Sequence, residues 1–216
     1  MKKIFLFIFV IVFYGMVNAR NIDSVKITFD DVETGKLPSG WIAEETNAVG
    51  ESSIWEVTED VTAPSGKKVL ALTDTKNNHG STFNLCWTNK INFLNGEIKV
   101  MFKANSGKED EGGGIMWRVK DKGNYYVVRF NPLEDNFRLY RVKNEYRKMI
   151  ANADVKLSKR KWHQIKIVQK GKKISCYLNE KKLIETEDET FTNAGGVGVW
   201  TKADAATSFD NFEVNK

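Results

Sequence analysis

The sequence predicts an all-β domain built as a two-sheet antiparallel β-sandwich, and three observations carry that expectation. From Arg20 onward, short apolar/polar alternations are separated by turn residues. No long, capped segment of helical period follows the first nineteen residues. About a dozen strands of ordinary length fit the chain, and stacking two sheets buries both inner faces without helices. Composition agrees: of 216 residues, 41% are hydrophobic, 12% aromatic and only 3 are proline, which excludes a disordered or collagen-like chain. Charged residues at 28% exclude a multi-span membrane protein. The formal charge is +5, two of which are Lys2 and Lys3; acidic and basic residues are interspersed, so no basic block suited to nucleic-acid phosphates stands out.

Residues 1–19 read as a cleavable signal peptide. Lys2 and Lys3 precede an apolar run from Ile4 to Tyr14, and Val17-Asn18-Ala19 supplies a cleavage site after Ala19. At ~1.5 Å per residue that run spans about 16 Å, half of a ~30 Å hydrocarbon core, so stable membrane insertion is not expected after cleavage. No cysteine near the cleavage point invites lipidation. The expectation is a secreted or periplasmic protein whose single domain covers 20–216.

Along that domain, Ile115, Trp117 and Val119 alternate with Met116, Arg118 and Lys120 before the turn Asp121-Lys122-Gly123-Asn124. With Lys122-Gly123 as a two-residue hairpin loop, Trp117 faces Val128 and Met116 faces Arg129. One face then carries Ile115, Trp117, Val119, Tyr126, Val128 and Phe130, the core. The other is mixed: Met116, Arg118, Lys120, Tyr125, Val127 and Arg129. Phe137 and Leu139 continue the core face; Arg138 and Tyr140 continue the mixed one. Further strands are expected around Ile165 and Ile167, Ile174 to Leu178, Leu183-Ile184, Gly196 to Trp200 and Thr207 to Val214. Thr73 to Ser81 and Asn105 to Gly113 read as surface loops. Trp41, Trp55, Trp87, Trp117 and Trp162 are assigned mainly to the core. Cys86 and Cys176 sit in apolar strands, where two buried thiols are expected and a disulfide is permitted.

The run from Trp162 through Ile165, Ile167 and Gly171 to Tyr177-Leu178-Asn179 resembles a strand pair of concanavalin A-like, laminin-G-like jelly rolls. Gly195 to Asp204 with Phe209-Asp210-Asn211-Phe212, Gly112 to Arg118, Asn124 to Pro132, and Phe29-Asp30 with Trp41 are similar to bacterial exported domains related to the 3-keto-disaccharide hydrolase family. The resemblance implies a jelly roll and leaves the activity open, since such sandwiches host lectins, adhesion modules and glycosidases. It also implies a place for a structural calcium ion where first and last strands meet, with Asp30, Asp31 and Asp210 as hard oxygen ligands; otherwise these carboxylates cap turns. No other cofactor is required.

Catalytic patterns are sparse. No Glu-x-Asp-x-Glu strand occurs, and the acidic cluster Glu185, Glu187, Asp188 and Glu189 reads as a loop. Two histidines, His79 and His163, come without zinc-ligand spacing, and there is no Gly-x-Ser-x-Gly. The mixed face therefore becomes the candidate site: Arg118, Tyr125, Arg129, Arg138 and Tyr140, with Trp200 and Lys202 lining the same groove. Arginine forks and tyrosine rings suit sugar hydroxyls, apolar sugar faces and uronic carboxylates. The bland alternative is an ordinary exposed sheet face. The leading expectation is an exported module that binds a poly- or oligosaccharide. The alternatives are a sugar-cleaving enzyme of the 3-keto-disaccharide hydrolase type and a laminin-G-like protein-binding adhesion module.

Overall fold

A computed structural model describes residues 24–75 and 79–216. The leader and its cleavage site lie outside the described residues. Among the described residues there are fifteen strands and no helix, and so none long and apolar enough to cross a membrane. β1 (Ser24–Ile27), β2 (Trp41–Thr46), β3 (Ile54–Glu59) and β4 (Lys68–Asp74) precede the two longest strands, β5 (Phe83–Phe93) and β6 (Gly96–Ser106). A meander follows: β7 (Gly113–Asp121), β8 (Asn124–Asn131), β9 (Asn136–Lys143) and β10 (Tyr146–Asp154). A second contains β11 (His163–Lys170), β12 (Lys173–Leu178) and β13 (Lys181–Glu187), after which β14 (Gly195–Lys202) and β15 (Ala206–Asn215) close the domain.

The strands form two antiparallel sheets. One has the order β13-β12-β11-β6-β15-β4-β3, with β1 pairing β15; the other runs β10-β9-β8-β7-β14-β5-β2. β15 serves two partners along one edge, Phe209 lying beside Leu70 of β4 and Phe212 beside Ile27 of β1. The expected sandwich is thus the observed one.

Between the sheets the alternation becomes a core. Ile115, Trp117, Tyr126, Val128 and Phe130 from one sheet meet Val100, Phe102, Ile165, Ile167 and Phe209 from the other. Trp117 is wholly buried, its ring 5.5 Å from that of Tyr126, and its Nε1 donates to Gln169 Oε1 across the sandwich at 2.9 Å. The bond removes the penalty a buried indole N–H would otherwise carry. Cys86 and Cys176 are buried free thiols, pushed upward in pKa by burial. Trp162 departs from its core assignment: it is half-buried, donates to Thr62 Oγ1 and lies under Lys103 Nζ at 5.0 Å. Trp87 is buried on the other side of its sheet.

The hairpin shows one informative error. Asp121 pairs Asn124 around Lys122-Gly123 as expected, but Trp117 pairs Tyr126, because a bulge inserts two extra residues on β7. The slip is even, so residues 113–117 keep their expected faces. Within the bulge Arg118 adopts φ 47° and turns away from the mixed face. Its guanidinium enters the end of the sandwich, donating to Leu94 O (3.0 and 2.7 Å), Phe191 O (2.5 Å) and Gly171 O (2.9 Å). The left-handed backbone costs on the order of 1–3 kcal/mol and is held by these charge-assisted bonds. Val119 moves to the mixed face in exchange.

That face is not an open sheet surface. Met116, Val119, Tyr125, Val127, Tyr140, Val142, Phe83, Leu85, Trp87 and Trp200 form a second buried apolar cluster on it. The seven-stranded sheet coils until diagonally opposite corners meet. Thr46 Oγ1 of β2 donates to Lys122 O at 2.5 Å, and Asn47 Nδ2 reaches Glu145 O at 3.4 Å. Accumulated right-handed strand twist, sharpened by the β7 bulge, brings these corners together.

Candidate functional site

The site lies on the concave side of the coiled sheet, where the apolar cluster gives way to charge. At its floor Trp200 of β14 packs beside Phe83 of β5, ring centroids 5.3 Å apart, and its Nε1 donates to the Tyr125 hydroxyl at 3.3 Å. Tyr125 and Trp200 are fully buried, so both serve as floor rather than exposed contact. Above them lies Arg147 of β10. Its guanidinium carbon is 4.5 Å from the Tyr140 ring centre, 4.7 Å from Phe83 and 6.0 Å from Trp200. A guanidinium among three aromatic rings is a cation–π arrangement that also leaves donors to point elsewhere. Burial lowers the Arg147 pKa, yet an arginine remains cationic.

Arg129 of β8 occupies the next position toward the rim. The expected exposure of this residue is corrected: it is 2% exposed. Nη1 donates to Asn136 O (3.3 Å) and to Asn136 Oδ1, while Nη2 donates to Glu134 Oε2 at 2.8 Å. Glu134 also accepts from Arg138 Nη1 at 3.2 Å, and Arg138 Nε reaches Asn152 Oδ1 at 2.8 Å. Burial would raise the Glu134 carboxyl, but Asn136 and Arg129 hold it below its ordinary value. Arg138 remains partly exposed, as expected.

On the other flank Asp110 is buried and receives the Gly112 amide at 2.7 Å and Asn131 Nδ2 at 3.1 Å, with Lys202 Nζ 3.4 Å away. Burial raises its pKa against the pull of Arg129 and Lys202. Gly112 is required here: a Cβ would press on Asp110 Oδ1, Arg129 Cδ and Asn131 Cβ. Asp204 fastens the preceding loop by accepting the amides of Lys108 (2.7 Å), Glu109 (3.0 Å) and Asp110 (3.0 Å).

The structure therefore gathers Tyr125, Arg129, Arg138, Tyr140, Trp200 and Lys202 around one concavity and removes Arg118 from it. Arg118 instead borders a separate cavity of about 260 Å³ at the sandwich end, near Leu94, Gly171 and Asp188. Arg147 and Phe83 are the residues sequence reasoning missed. The available signal for Arg147 was the tight turn Asn144-Glu145, whose residues have φ 51° and 65°, implying a return strand after β9.

Other candidates resolve into structure. Glu185 and Glu187 belong to strand β13 rather than a loop. Glu185 pairs with Lys182 (2.6 Å) and Lys173 (2.9 Å), which hold its pKa at about 2. Asp188 receives Arg141 Nη1 and the Tyr126 hydroxyl, at 2.8 and 2.6 Å. His163 is buried between Ser158 O (2.8 Å) and Asn179 Nδ2 (3.0 Å).

The carboxylates considered for calcium are engaged with the backbone. Asp30 Oδ1 accepts the amides of Lys67 (2.8 Å) and Lys68 (3.1 Å), and Asp210 Oδ2 accepts the amide and hydroxyl of Ser65 at 2.9 and 3.1 Å. Between them Gly66, at φ 56°, passes so close to Asp30 that any Cβ would collide with its carboxylate. Asp31 is exposed. No group of three metal-ligating side chains occurs among the described residues, so this set does not fit an ion.

Fold and concavity together define a concanavalin A-like lectin/glucanase sandwich. Residues 106–216 match the family described as galactocerebrosidase, C-terminal lectin domain, and the chain belongs to that family. A search of curated proteins finds no match. Among solved structures, the carbohydrate-binding module CBM66 of Bacillus subtilis has a TM-score of 0.62 at 18% identity, covering 82% of this chain and 96% of its own. The Bacillus licheniformis β-glucanase reaches 0.59 at 9% identity, covering 91% and 100%. The carbohydrate recognition domain of Emp47p reaches 0.53 at 14%, covering 90% and 95%. At these identities the likeness is one of fold.

Proposed function

We propose that this chain is a carbohydrate-binding β-sandwich module whose ligand enters the mouth of the coiled sheet and contacts Arg147, Tyr140, Arg129, Arg138 and Lys202. The observation that carries the reading is the placing of Arg147 over Tyr140 and Phe83 in a lectin-domain family member. Sugars offer hydroxyl pairs to planar forks of donors, and the guanidinium groups of Arg147 and Arg138 supply such forks over a buried aromatic floor. Export under the residue 1–19 leader to a secreted or periplasmic location belongs to the same proposal and rests on the Lys2-Lys3, apolar-run and Val17-Asn18-Ala19 pattern. The test is a polysaccharide array. Binding to at least one glycan, weakened about tenfold or more by Tyr140→Ala in a protein that still melts cooperatively, supports the site. A folded protein that binds no glycan overturns the reading.

A further inference from the structure

We infer that the glycan is acidic, its carboxylate or sulfate being taken up between Arg147 and Arg129; the inference rests on the carbohydrate reading above. Arg129 Nε and Arg147 Nη1 are buried donors without a hydrogen-bond partner. Native proteins leave few such groups, and a buried charged donor gains most from a ligand acceptor.

The two guanidinium groups converge on one ring, their central carbons 4.5 Å and 5.8 Å from the Tyr140 centroid. Asp110 attracts Arg147 from a distance, but no carboxylate among the described residues pairs with it directly. Asp110 is held by Lys202, the Gly112 amide and Asn131, and Glu134 is shared by Arg129 and Arg138. Arg147 forms no ion pair among the described residues, and four cations around the concavity face two carboxylates. Water or a neutral hydroxyl satisfies a donor, but only an oxyanion also compensates the surplus charge and matches the guanidinium fork. The Tyr140 and Phe83 rings are buried beneath Arg147, so the ligand meets the guanidinium groups while the rings hold Arg147 in place from below.

The test measures binding of the purified protein to four probes by calorimetry at low and moderate salt: oligogalacturonate, its methyl ester, a sulfated galactan oligosaccharide and neutral galactan oligosaccharide. At least one anionic probe should bind about tenfold or more tightly than both neutral ones at moderate salt, and the two anionic arms separate carboxylate from sulfate. Arg147→Met should lower that affinity about tenfold or more, and Arg147→Lys, which keeps charge but loses the fork, should fall between. Lys166→Met, on the other sheet, should leave it unaltered and thereby exclude general attraction to a cationic surface. Equal binding of neutral and acidic probes, or wild-type affinity in Arg147→Met, overturns the acidic assignment while leaving carbohydrate binding intact. Failure of all four probes and of the array overturns both.

Discussion

The Tyr125 hydroxyl lies 2.9 Å from Thr46 Oγ1, although three strands of the same sheet separate β8 from β2. At ~4.8 Å per strand a flat sheet would hold these strands about 19 Å apart. The contact therefore measures how far the sheet coils, and that coiling turns an ordinary outer face into a concavity with an apolar floor. Tyr125→Phe removes the hydroxyl and orphans Trp200 Nε1. A cost of about 1–3 kcal/mol is expected, or a fall of roughly 2–12 °C in Tm at this size, read by calorimetry. An unchanged Tm would mean the corner contact does not hold the curl.

Trp117→Ala and Arg129→Ala should both destabilise, by different routes. Trp117→Ala opens a cavity in the main core and costs about 3–5 kcal/mol. Arg129→Ala leaves Asn136 and Glu134 short of their shared donor; with Glu134 partly exposed, about 1–3 kcal/mol is expected. Denaturant titration orders the two. A neutral Arg129→Ala would place the guanidinium in solvent, contrary to its burial.

Asp204 supplies the pH dependence. Burial alone would raise its carboxyl, but the amides of Lys108, Asp110 and Glu109 outweigh burial and hold the pKa below the ordinary aspartate value. A depressed folded pKa means the unfolded chain binds the proton first as pH falls. The stabilisation is therefore complete above the ordinary aspartate pKa and is lost as pH drops through the folded one. Asp204→Asn should flatten that part of the acid limb in a series of melts. A limb of unaltered slope would remove Asp204 from the account.

Chelation should leave the melting curve where it is, because Asp30 and Asp210 stabilise the 63–68 loop through its amides. Asp210→Asn, which deprives the Ser65 amide of its charged acceptor, should lower Tm with or without chelator. A fall in Tm caused by chelator alone would restore an ion to the strand junction.

Both cysteines should resist thiol reagents until the protein unfolds. Cys86 and Cys176 are fully buried, and burial disfavours the reactive thiolate. Labelling in native buffer at the rate of free cysteine would contradict the core placement.

How far the sequence reached depended on the range of the cause. Ile115 and Trp117 announce their face because alternation is local. Arg118 does not, since a bulge in a run such as Met116-Trp117-Arg118-Val119 leaves no glycine or proline to mark it. Strand β10 escaped notice because Met149, Ile150 and Ala151 stand in a row where its pairing with β9 slips, and Arg147 was lost with it. Arg129 was recognised as a site residue but not as a buried one, because its burial depends on Glu134, Asn136 and the coil of seven strands. Asp30 and Asp210 were located correctly at the junction, while their partners, the amides of a distant loop, carry no side-chain signature.

The rims of the two sheets also govern how many copies can stand side by side. β13 is one of the two rims of its sheet, opposite β3, and β10 one of the two rims of the other, opposite β2; an unpaired rim strand is an invitation for a like strand to add on. Along β13, Lys181, Lys182, Glu185 and Glu187 bristle outward; along β10, Lys148 stands between exposed Tyr146 and Met149. A second copy approaching rim to rim must strip water from these charges before forming a single backbone bond. At these two rims the charges therefore oppose strand addition between copies.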